Sequence, residues 1–457
     1  MEDIPSSLIF TTILVCKEMV KKFKNKYNNL FALFVFAITL ALVFNLISLN
    51  KKRFQKKEVT RLYFADNISE AHKKIIENFN KIYKGQIEVV PINLPFTKFT
   101  TNERKELIAR SLRSRNSRID IFAVDQIWVP RFAKWAEPLD KYFMQRDLSK
   151  FLPQALSTCY YQGDLLGIPL YLDISVLYYR DDLIKAVPGF ENIREELHQS
   201  ISWERLIEYG QKYGKSKTFY LFQGDNYEGL ICNYMEILGS MGGTFFQDNE
   251  LKVNTEKGRQ SARFMHDLIE KYKLSPPEVT DFIERESYIY ALQNDAPFLR
   301  GWSSYLKDLD IQDQNPEKVK QLRMAFLPHF SGYPRMTVFG GWNLMISKYS
   351  DKKWESFEFL RYIQSEEVQK ILFETSGYLP VLKSCYTDTT MLQAYPYLGY
   401  IKEMIACGVH RPALINYTKI SDILSFYLNK ILKSEISAAE GLQEADETIK
   451  SDKLFLR

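Results

Sequence analysis

The 457-residue sequence predicts an α/β protein preceded by one membrane-spanning helix. Strand-like and helix-like segments alternate from residue 58 onward, which is typical of parallel α/β architecture. A run of 20 uncharged residues, 30–49, precedes them. No internal repeat or low-complexity linker interrupts residues 58–457. We therefore expect one short basic segment (1–29), one anchor (30–49) and one continuous folded part.

The run at 30–49, LFALFVFAITLALVFNLISL, predicts a transmembrane signal anchor. At ~1.5 Å per residue it reaches ~30 Å, the thickness of one hydrocarbon core. It is longer than the about 7–15 residues of a cleaved signal core. Lys51, Lys52 and Arg53 follow it directly, with no small-residue cleavage site and no cysteine for a lipid. An uncleaved anchor is the interpretation that these features favour.

Charge is concentrated near this run. Residues 1–57 hold ten Lys and Arg against three Asp and Glu, whereas 51 basic and 53 acidic residues remain beyond them. The large part of the chain is therefore close to neutral. Because nucleic-acid binding calls for a basic patch or stripe, we do not expect a nucleic-acid partner.

The elements after residue 58 follow from periodicity. Val59–Phe64 has the composition of a strand, and Ala71, Ile75 and Phe79 then recur at helical spacing after a capping Asn or Ser. The same patterns predict further elements, in chain order: a strand at Ile87–Pro91, a helix at Glu103–Arg113, a strand at Ile119–Val124, a buried strand around Val176–Tyr178, a helical region at 354–372 and a helix at 420–432.

Motifs for catalysis and metal binding do not occur in the sequence. It has no GxGxxG, Walker A, GxSxG or HExxH pattern, and its five histidines are far apart. The five cysteines show no metal-binding spacing, and one disulfide is compatible with them but cannot be assigned. We expect no enzyme activity, no cofactor and no metal.

Aromatic residues beside carboxylates recur instead. Sugars stack on flat rings and exchange paired hydrogen bonds with Asp, Glu and Arg, so such stretches indicate a sugar site. Asp125 follows a predicted strand, where it either contacts ligand or caps a helix, and Glu228 is either a first-turn acid or a sugar contact. The candidate residues from these stretches are Asp125, Trp128, Tyr171, Asp173, Tyr227, Glu228, Trp302, Gly341, Trp342 and Arg411.

Six segments in order resemble the extracellular solute-binding proteins of ABC importers, family 1, and most closely the trehalose/maltose-binding branch. They are GIPLYLDISVLYYRDDLIKA from residue 167, SWERLIEYG from 202, QGDNYEGLICNYMEIL from 223, FLRGWSSY from 298, GGWNLMISKYSDKKWESFEFLRYIQSEEVQKILFETSGYLPVLKS from 340 and RPALINYTKISDIL from 411. The sequence departs from the pattern at Gly301, where the family often has Asn, and in its anchor, which replaces the usual leader.

The resemblance implies a type II periplasmic-binding-protein fold of two α/β lobes that close over a ligand. Lobe one would hold 58–170 plus 325–375, and lobe two 171–324 plus 376–450. The chain would cross between them near Pro169–Asp173 and near Met324–Pro328. The family's sugar-site positions match Asp125, Tyr171, Asp173, Trp302, Gly341, Trp342 and Arg411, with Glu228 and Glu70 less closely.

The run at 30–49 implies a single-pass cell-membrane protein. The resemblance implies that its large extracytoplasmic domain delivers a disaccharide, such as trehalose or maltose, to ABC permease subunits. Polyol, peptide and oligosaccharide binders share the scaffold, so the sugar is not named. Two other functions are compatible with the sequence: an anchored sugar sensor that presents its ligand to a receptor, and a glycoside hydrolase, which would need two paired carboxyl groups.

Overall fold

The computed structural model describes residues 34, 36–41 and 58–454, except 97, 100, 116–117, 215–217, 248–249 and 308–314. The chain divides into two compact units, Met1–Val59 and Thr60–Arg457. In the first unit, residues 34 and 36–41 are helical, and the rest of the anchor predicted at 30–49 lies outside the described residues. Within the described ranges, the structure contains no helix with the length and apolar character needed to cross a bilayer.

The second unit alternates strands and helices, as the sequence predicts. Its strands are β1 (Thr60–Asp66), β2 (Ile87–Asn93), β3 (Ile121–Asp125), β4 (Tyr160–Tyr161), β5 (Asp164–Leu165), β6 (Ile168–Arg180), β7 (Tyr220–Leu221), β8 (Phe246–Gln247), β9 (Glu250–Leu251), β10 (Phe298–Trp302), β11 (Leu322–Ala325), β12 (Thr337–Ile346) and β13 (Gly408–Val409).

The longer helices pack around these strands. They are α1 (Glu70–Ile82), α2 (Thr101–Arg113), α3 (Phe190–Gln199), α4 (Trp203–Tyr213), α5 (Glu228–Ser240), α6 (Glu256–Glu270), α7 (Glu284–Gln293), α8 (Lys353–Ile363), α9 (Glu366–Ser376), α10 (Tyr397–Ala406), α11 (Tyr417–Leu432) and α12 (Ala438–Leu454). Short helices lie at Val129–Phe132, Gln145–Leu148, Pro153–Leu156, Asp181–Lys185, Pro316–Val319 and Thr389–Ala394.

One mixed sheet runs through the unit, in the order β2-β1-β3-β12-β6-β10-β7. We call β2, β1, β3, β12 and the N-terminal part of β6 the first half of the sheet, where β1 is parallel to β2 and β3. The C-terminal part of β6 pairs with β10 and β11, and β10 pairs with β7; these form the second half. The strand β6 therefore joins the two halves.

The strands β6 and β12 are buried along their whole length. Helices that cover both faces of a sheet leave its central strands without solvent contact. Polar side chains on these strands, such as Asp173, therefore need partners inside the protein or in a ligand. The place where β6 and β12 pair is thus the part of the fold in which buried polar chemistry is concentrated.

Two differences from the sequence interpretation concern segment limits. The helical region at 354–372 is two helices, because the Ser365 hydroxyl accepts a hydrogen bond from the Val368 N–H and starts α9. The strand β11 still pairs with β6 in the second half of the sheet, and the chain joins the first half only in β12, beyond the crossing predicted near Met324–Pro328. The lobe boundaries themselves stay a prediction.

Candidate functional site

The candidate site lies where β3, β6 and β12 meet. Trp342 on β12 lies opposite Asp125 on β3 and opposite Tyr171 on β6. Asp125 is the last residue of β3, and Asp173 follows Tyr171 by two residues on β6. Adjacent strands thus bring four of the predicted site residues together, although they are up to 217 positions apart in the sequence.

Gly341 makes this arrangement sterically possible. Its φ is +130°, and a Cβ at this position would lie 2.6 Å from the carbonyl oxygen of Tyr171. Only glycine adopts such a backbone without strain. The pairing register shifts between Trp342 and Asn343, and such irregularities re-aim side chains at sheet edges and sites.

Trp342 is part of an aromatic cluster that surrounds a buried arginine. Trp128 and Phe96 meet Trp342 edge-on, with ring centroids 6.0 Å and 5.9 Å away. The Arg104 guanidinium carbon lies 4.2 Å from the ring centroids of both Phe96 and Trp342. Arg104 is therefore held between two aromatic faces, where cation–π attraction is strongest because water is excluded.

Arg104 is fully buried, yet only part of its guanidinium is bonded. Its Nη2 donates to Asp66 Oδ1 at 2.7 Å, while Nε and Nη1 have no hydrogen-bond partner among the described residues. The other oxygen of Asp66 lies 3.2 Å from His72 Nε2. Buried donors normally find partners, so these two unbonded nitrogens indicate a ligand-binding position.

Sequence reasoning missed Arg104 and Asp66. A signal existed, because Arg104 stands on the same helical stripe as Ile108 and Leu112, all three of them buried. A charged residue at i, i+4, i+8 with core residues faces the interior and needs a partner.

Tyr171 stacks on Tyr378, which follows α9, with centroids 3.9 Å apart and an interplanar angle of 7°. The pair presents a flat aromatic surface beside Asp66 and Arg104, whose charges act on the Tyr171 hydroxyl. Burial is the main cause that raises the pKa of Tyr171 well above its ordinary value, so this hydroxyl stays protonated. Tyr378 was not among the predicted site residues.

Asp173 receives several donors from the protein itself. Ser303 Oγ and Ser304 Oγ donate to its two oxygens at 2.5 Å and 2.7 Å, and the Ile174 N–H donates at 3.0 Å. Burial raises the pKa of Asp173, and the serine hydrogen bonds oppose that shift. The partner that its apolar surroundings require is therefore supplied by Ser303 and Ser304, neither of which was a predicted site residue.

Trp302, at the end of β10, is fixed on several sides. Its indole N–H donates to Glu284 at 3.1 Å, and the Arg300 guanidinium carbon lies 4.4 Å from its ring centroid. Its carbonyl accepts from the Tyr178 hydroxyl at 2.7 Å. A Cβ on Gly340 of β12 would lie 2.9 Å from the ring, so Trp302 reaches across to the strand that carries Trp342.

Arg411 connects Asp125 with Glu228, the first residue of α5. Its Nη2 lies 2.8 Å from Asp125 Oδ1 and its Nη1 lies 2.9 Å from Glu228 Oε1. Glu228 also accepts from the hydroxyls of Tyr417 and Ser421. Burial raises the pKa of Asp125, and Arg411 opposes that shift. The three charged residues form one buried network that links the ends of β3 and α5.

The capping interpretation of Asp125 is confirmed, because its Oδ1 also accepts from the Ile127 N–H at 3.2 Å and caps the turn Gln126–Trp128. Tyr227 lies beside Glu284, and burial, aided by this carboxylate, raises the pKa of its hydroxyl well above the ordinary value. Glu70 differs from the others: its side chain is 47% exposed and pairs with Lys73 on its own helix. The ligand roles of all these residues stay predictions.

Across the described ranges, no group of three or more His, Cys, Asp or Glu side chains has the arrangement of a metal site. The cysteines at positions 159, 232, 385 and 407 are free thiols. The arrangement can offer aromatic faces, buried donors and carboxylate acceptors to a polar organic ligand, which is binding chemistry.

Comparison with known proteins gives a family match over most of this unit. The model of the family described as bacterial extracellular solute-binding protein matches residues 65–370. A probable ABC transporter-binding protein of Deinococcus radiodurans is 26% identical over 349 residues, which are 75% of this chain and 82% of that protein. An sn-glycerol-3-phosphate-binding periplasmic protein of Rhizobium meliloti is 23% identical over 429 residues, 86% of this chain and 94% of that protein.

Solved structures are similar over the same part of the chain. Maltose-bound T. maritima MalE3 has a TM-score of 0.78 and 25% identity, and the match covers 86% of this chain and 99% of that one. A solute-binding protein of Agrobacterium radiobacter K84 in complex with ribitol has a TM-score of 0.72 and 19% identity, covering 87% and 100%. These likenesses confirm the two-lobed α/β fold that the sequence resemblance implies.

Proposed function

This chain belongs to the family of bacterial extracellular solute-binding proteins, and we propose that it is the sugar-binding component of an ABC importer. The names of its relatives support a binding protein rather than an enzyme, and one similar structure holds maltose. Those ligands belong to those proteins. For this chain, the support for a sugar comes from the side chains around Trp342.

The observation that carries the proposal is the half-bonded Arg104 beside Trp342. Its Nε and Nη1 are buried donors without a partner among the described residues, and they lie against an aromatic face. A sugar offers hydroxyl oxygens for such donors and a C–H face for such a ring. Tyr171 and Trp302 add aromatic surface, and Asp125 and Asp173 add acceptors.

The proposed mechanism is closure of two lobes over the ligand. The strands β6 and β12 pair with each other in the middle of the sheet, and β6 continues into the second half, so a bend in these strands would rotate one half against the other. Closure would bring Asp125 close to Glu228 on α5, and Arg411 joins these two carboxylates. A ligand that contacts both lobes would favour the closed state through its differential affinity, and ABC permease subunits would recognise that state.

We propose further that residues 30–49 anchor the protein and that the large unit lies outside the cell. The uncharged run and the extracellular family support this orientation. Protease added to intact spheroplasts should digest the large unit. Complete protection of that unit would contradict the orientation and would leave the proposed binding activity untouched.

Titration calorimetry on the full-length chain in mild detergent, with a panel of mono- and disaccharides, tests the sugar proposal. We expect at least one sugar to bind, and Trp342→Ala to lower its affinity about 30-fold, because truncating a buried aromatic anchor costs ~2 kcal/mol or more. Trp354→Ala is the matched control, since Trp354 is 62% exposed on α8. Unchanged affinity in both Trp342→Ala and Trp302→Ala would place the site elsewhere.

A further inference from the structure

Each buried guanidinium around the proposed cleft already has a carboxylate partner. Arg104 pairs with Asp66, and Arg411 pairs with Asp125 and Glu228. Arg300, under the ring of Trp302, pairs with Glu236 on α5. The positive charges that a solute-binding cleft would use to hold an anion are therefore matched by acids of the protein itself.

Two further carboxylates have only neutral donors among the described residues. Asp173 is bonded by the hydroxyls of Ser303 and Ser304, and Glu284 is bonded by the indole N–H of Trp302. Carboxylates thus outnumber guanidinium groups around the cleft. Burial raises the pKa of Asp173, which reflects the cost of holding negative charge there.

One lysine also approaches the cleft. Lys105 Nζ lies 5.4 Å from the ring centroid of Trp128 and donates to Asn102 Oδ1 at 3.2 Å. Asn102 in turn donates to the carboxylate of Asp422. Burial lowers the pKa of Lys105, and the charge of Asp422 opposes that shift. The carboxylate of Asp422 therefore balances the positive charge of Lys105.

We propose that the cleft selects uncharged polyhydroxy ligands and rejects their phosphate esters, and that Asp66 sets this selectivity through Arg104. The proposal rests on the sugar-binding function above and names its ligand class more closely. Arg104 keeps Nε and Nη1 for hydroxyl oxygens, but its charge is neutralised by the carboxylate 2.7 Å away. A phosphate would be desolvated next to this acid without a free guanidinium to bind it, and burying an unpaired charge is unfavourable.

The test measures affinity for matched pairs with the full-length chain in mild detergent, using trehalose and trehalose 6-phosphate, maltose and maltose 1-phosphate, and ribitol and ribitol 5-phosphate. For the wild type we expect the uncharged member of a pair to bind at least 100-fold more tightly than its ester. Asp66→Asn should narrow that ratio at least tenfold, because it frees the charge of Arg104. Glu88→Gln is the control, because it removes a carboxylate whose side chain is 45% exposed on β2, and it should keep the wild-type ratio.

The outcomes separate this inference from the proposed function. If an uncharged compound binds and its phosphate ester binds as tightly, the charge selectivity is overturned and sugar binding stays intact. A folded Asp66→Asn protein with the wild-type ratio overturns the role of Asp66. If no uncharged member binds, the proposed function is wrong and the inference with it. Should Asp66→Asn fail to fold by circular dichroism, Asp66→Ser takes its place with the same expected narrowing, and a wild-type ratio in that protein overturns the role of Asp66.

Discussion

The two halves of the sheet each place a buried arginine under a tryptophan, and the two arginines differ in how they are bonded. Arg104 lies 4.2 Å from the ring centroid of Trp342, and Arg300 lies 4.4 Å from that of Trp302. Both are fully buried, and each pairs with one carboxylate. The geometry is the same, whereas the hydrogen bonding is not.

Arg300 bonds through all three nitrogen positions. Its Nε and Nη2 donate to the two oxygens of Glu236 at 3.1 Å and 2.5 Å, and Nη1 donates to Gln223 at 3.4 Å. Arg104 bonds through Nη2 alone, to Asp66. A satisfied buried cation supports its neighbours, whereas one with free donors is prepared for a ligand. The Arg300–Glu236 pair should therefore govern stability, and the Arg104–Asp66 pair should govern binding.

The largest effect should come from Glu236→Leu, which removes the partner of Arg300. An uncompensated buried charge is expected to lower the free energy of unfolding by about 3–5 kcal/mol, measured by urea denaturation. Glu70→Ala is the control, because the exposed pair of Glu70 with Lys73 should contribute less than about 1 kcal/mol. Equal stability of Glu236→Leu and the wild type would show that the Arg300–Glu236 pair does not govern stability.

Arg104→Leu should act on affinity. Removing the donor side of a buried hydrogen-bonded site is expected to weaken binding of the best sugar by about 2–5 kcal/mol, measured by titration calorimetry. Arg113→Leu serves as control, since Arg113 lies on the same helix with its side chain 56% exposed. If Arg104→Leu binds as the wild type does, the free donors of Arg104 do not meet the ligand.

Gly340→Ala tests how firmly Arg300 and Glu284 hold Trp302. The new methyl would lie 2.9 Å from the indole ring, which cannot move without losing these contacts. Such overpacking typically costs about 1–3 kcal/mol. We expect that loss in urea denaturation together with a shift of tryptophan emission. Gly399→Ala, in α10 with open space at the Cβ position, should not destabilise the protein.

The smallest effect should be the pH dependence that His410 adds beside the buried Arg411. Burial, and then the charge of Arg411, lower the pKa of His410 from 6.5 to about 4. Between these two pH values His410 is therefore protonated in the unfolded chain but not in the folded one, and the free energy of unfolding falls as pH drops from 6.5 toward 4. Between pH 7 and pH 5 this should amount to about 1–2 kcal/mol.

His410→Gln should flatten that slope relative to the wild type when urea denaturation is compared at pH 7 and pH 5. The difference between the two proteins isolates His410 from Asp125 and Asp173, whose raised pKa values act in the opposite direction. Parallel slopes in the two proteins would show that His410 does not lose its charge on folding.

Part of the candidate site could be predicted from strand-like segments, because neighbouring strands bring their residues together. Asp125, Asp173 and Trp342 stand in strand-like segments beside apolar runs, and pairing brings Trp342 opposite Asp125. For Glu228 the sequence leaves two roles open, a first-turn acid or a sugar contact. The structure shows a first-turn acid that also pairs with Arg411. Arg104 was missed because a charged residue on a helix is usually solvated, whereas this one shares a buried stripe with Ile108 and Leu112.

The sequence by itself determined the alternation of strands and helices, the uncharged run at 30–49 and the placement of Asp125 at the end of a strand, because periodicity and strand order are local properties of the chain. Only the tertiary structure decided which charges meet. Arg104 and Trp342 are 238 residues apart, and Arg411 and Asp125 are 286 apart. Hydrogen bonds and desolvation depend on distances of a few ångström, and packing alone sets those.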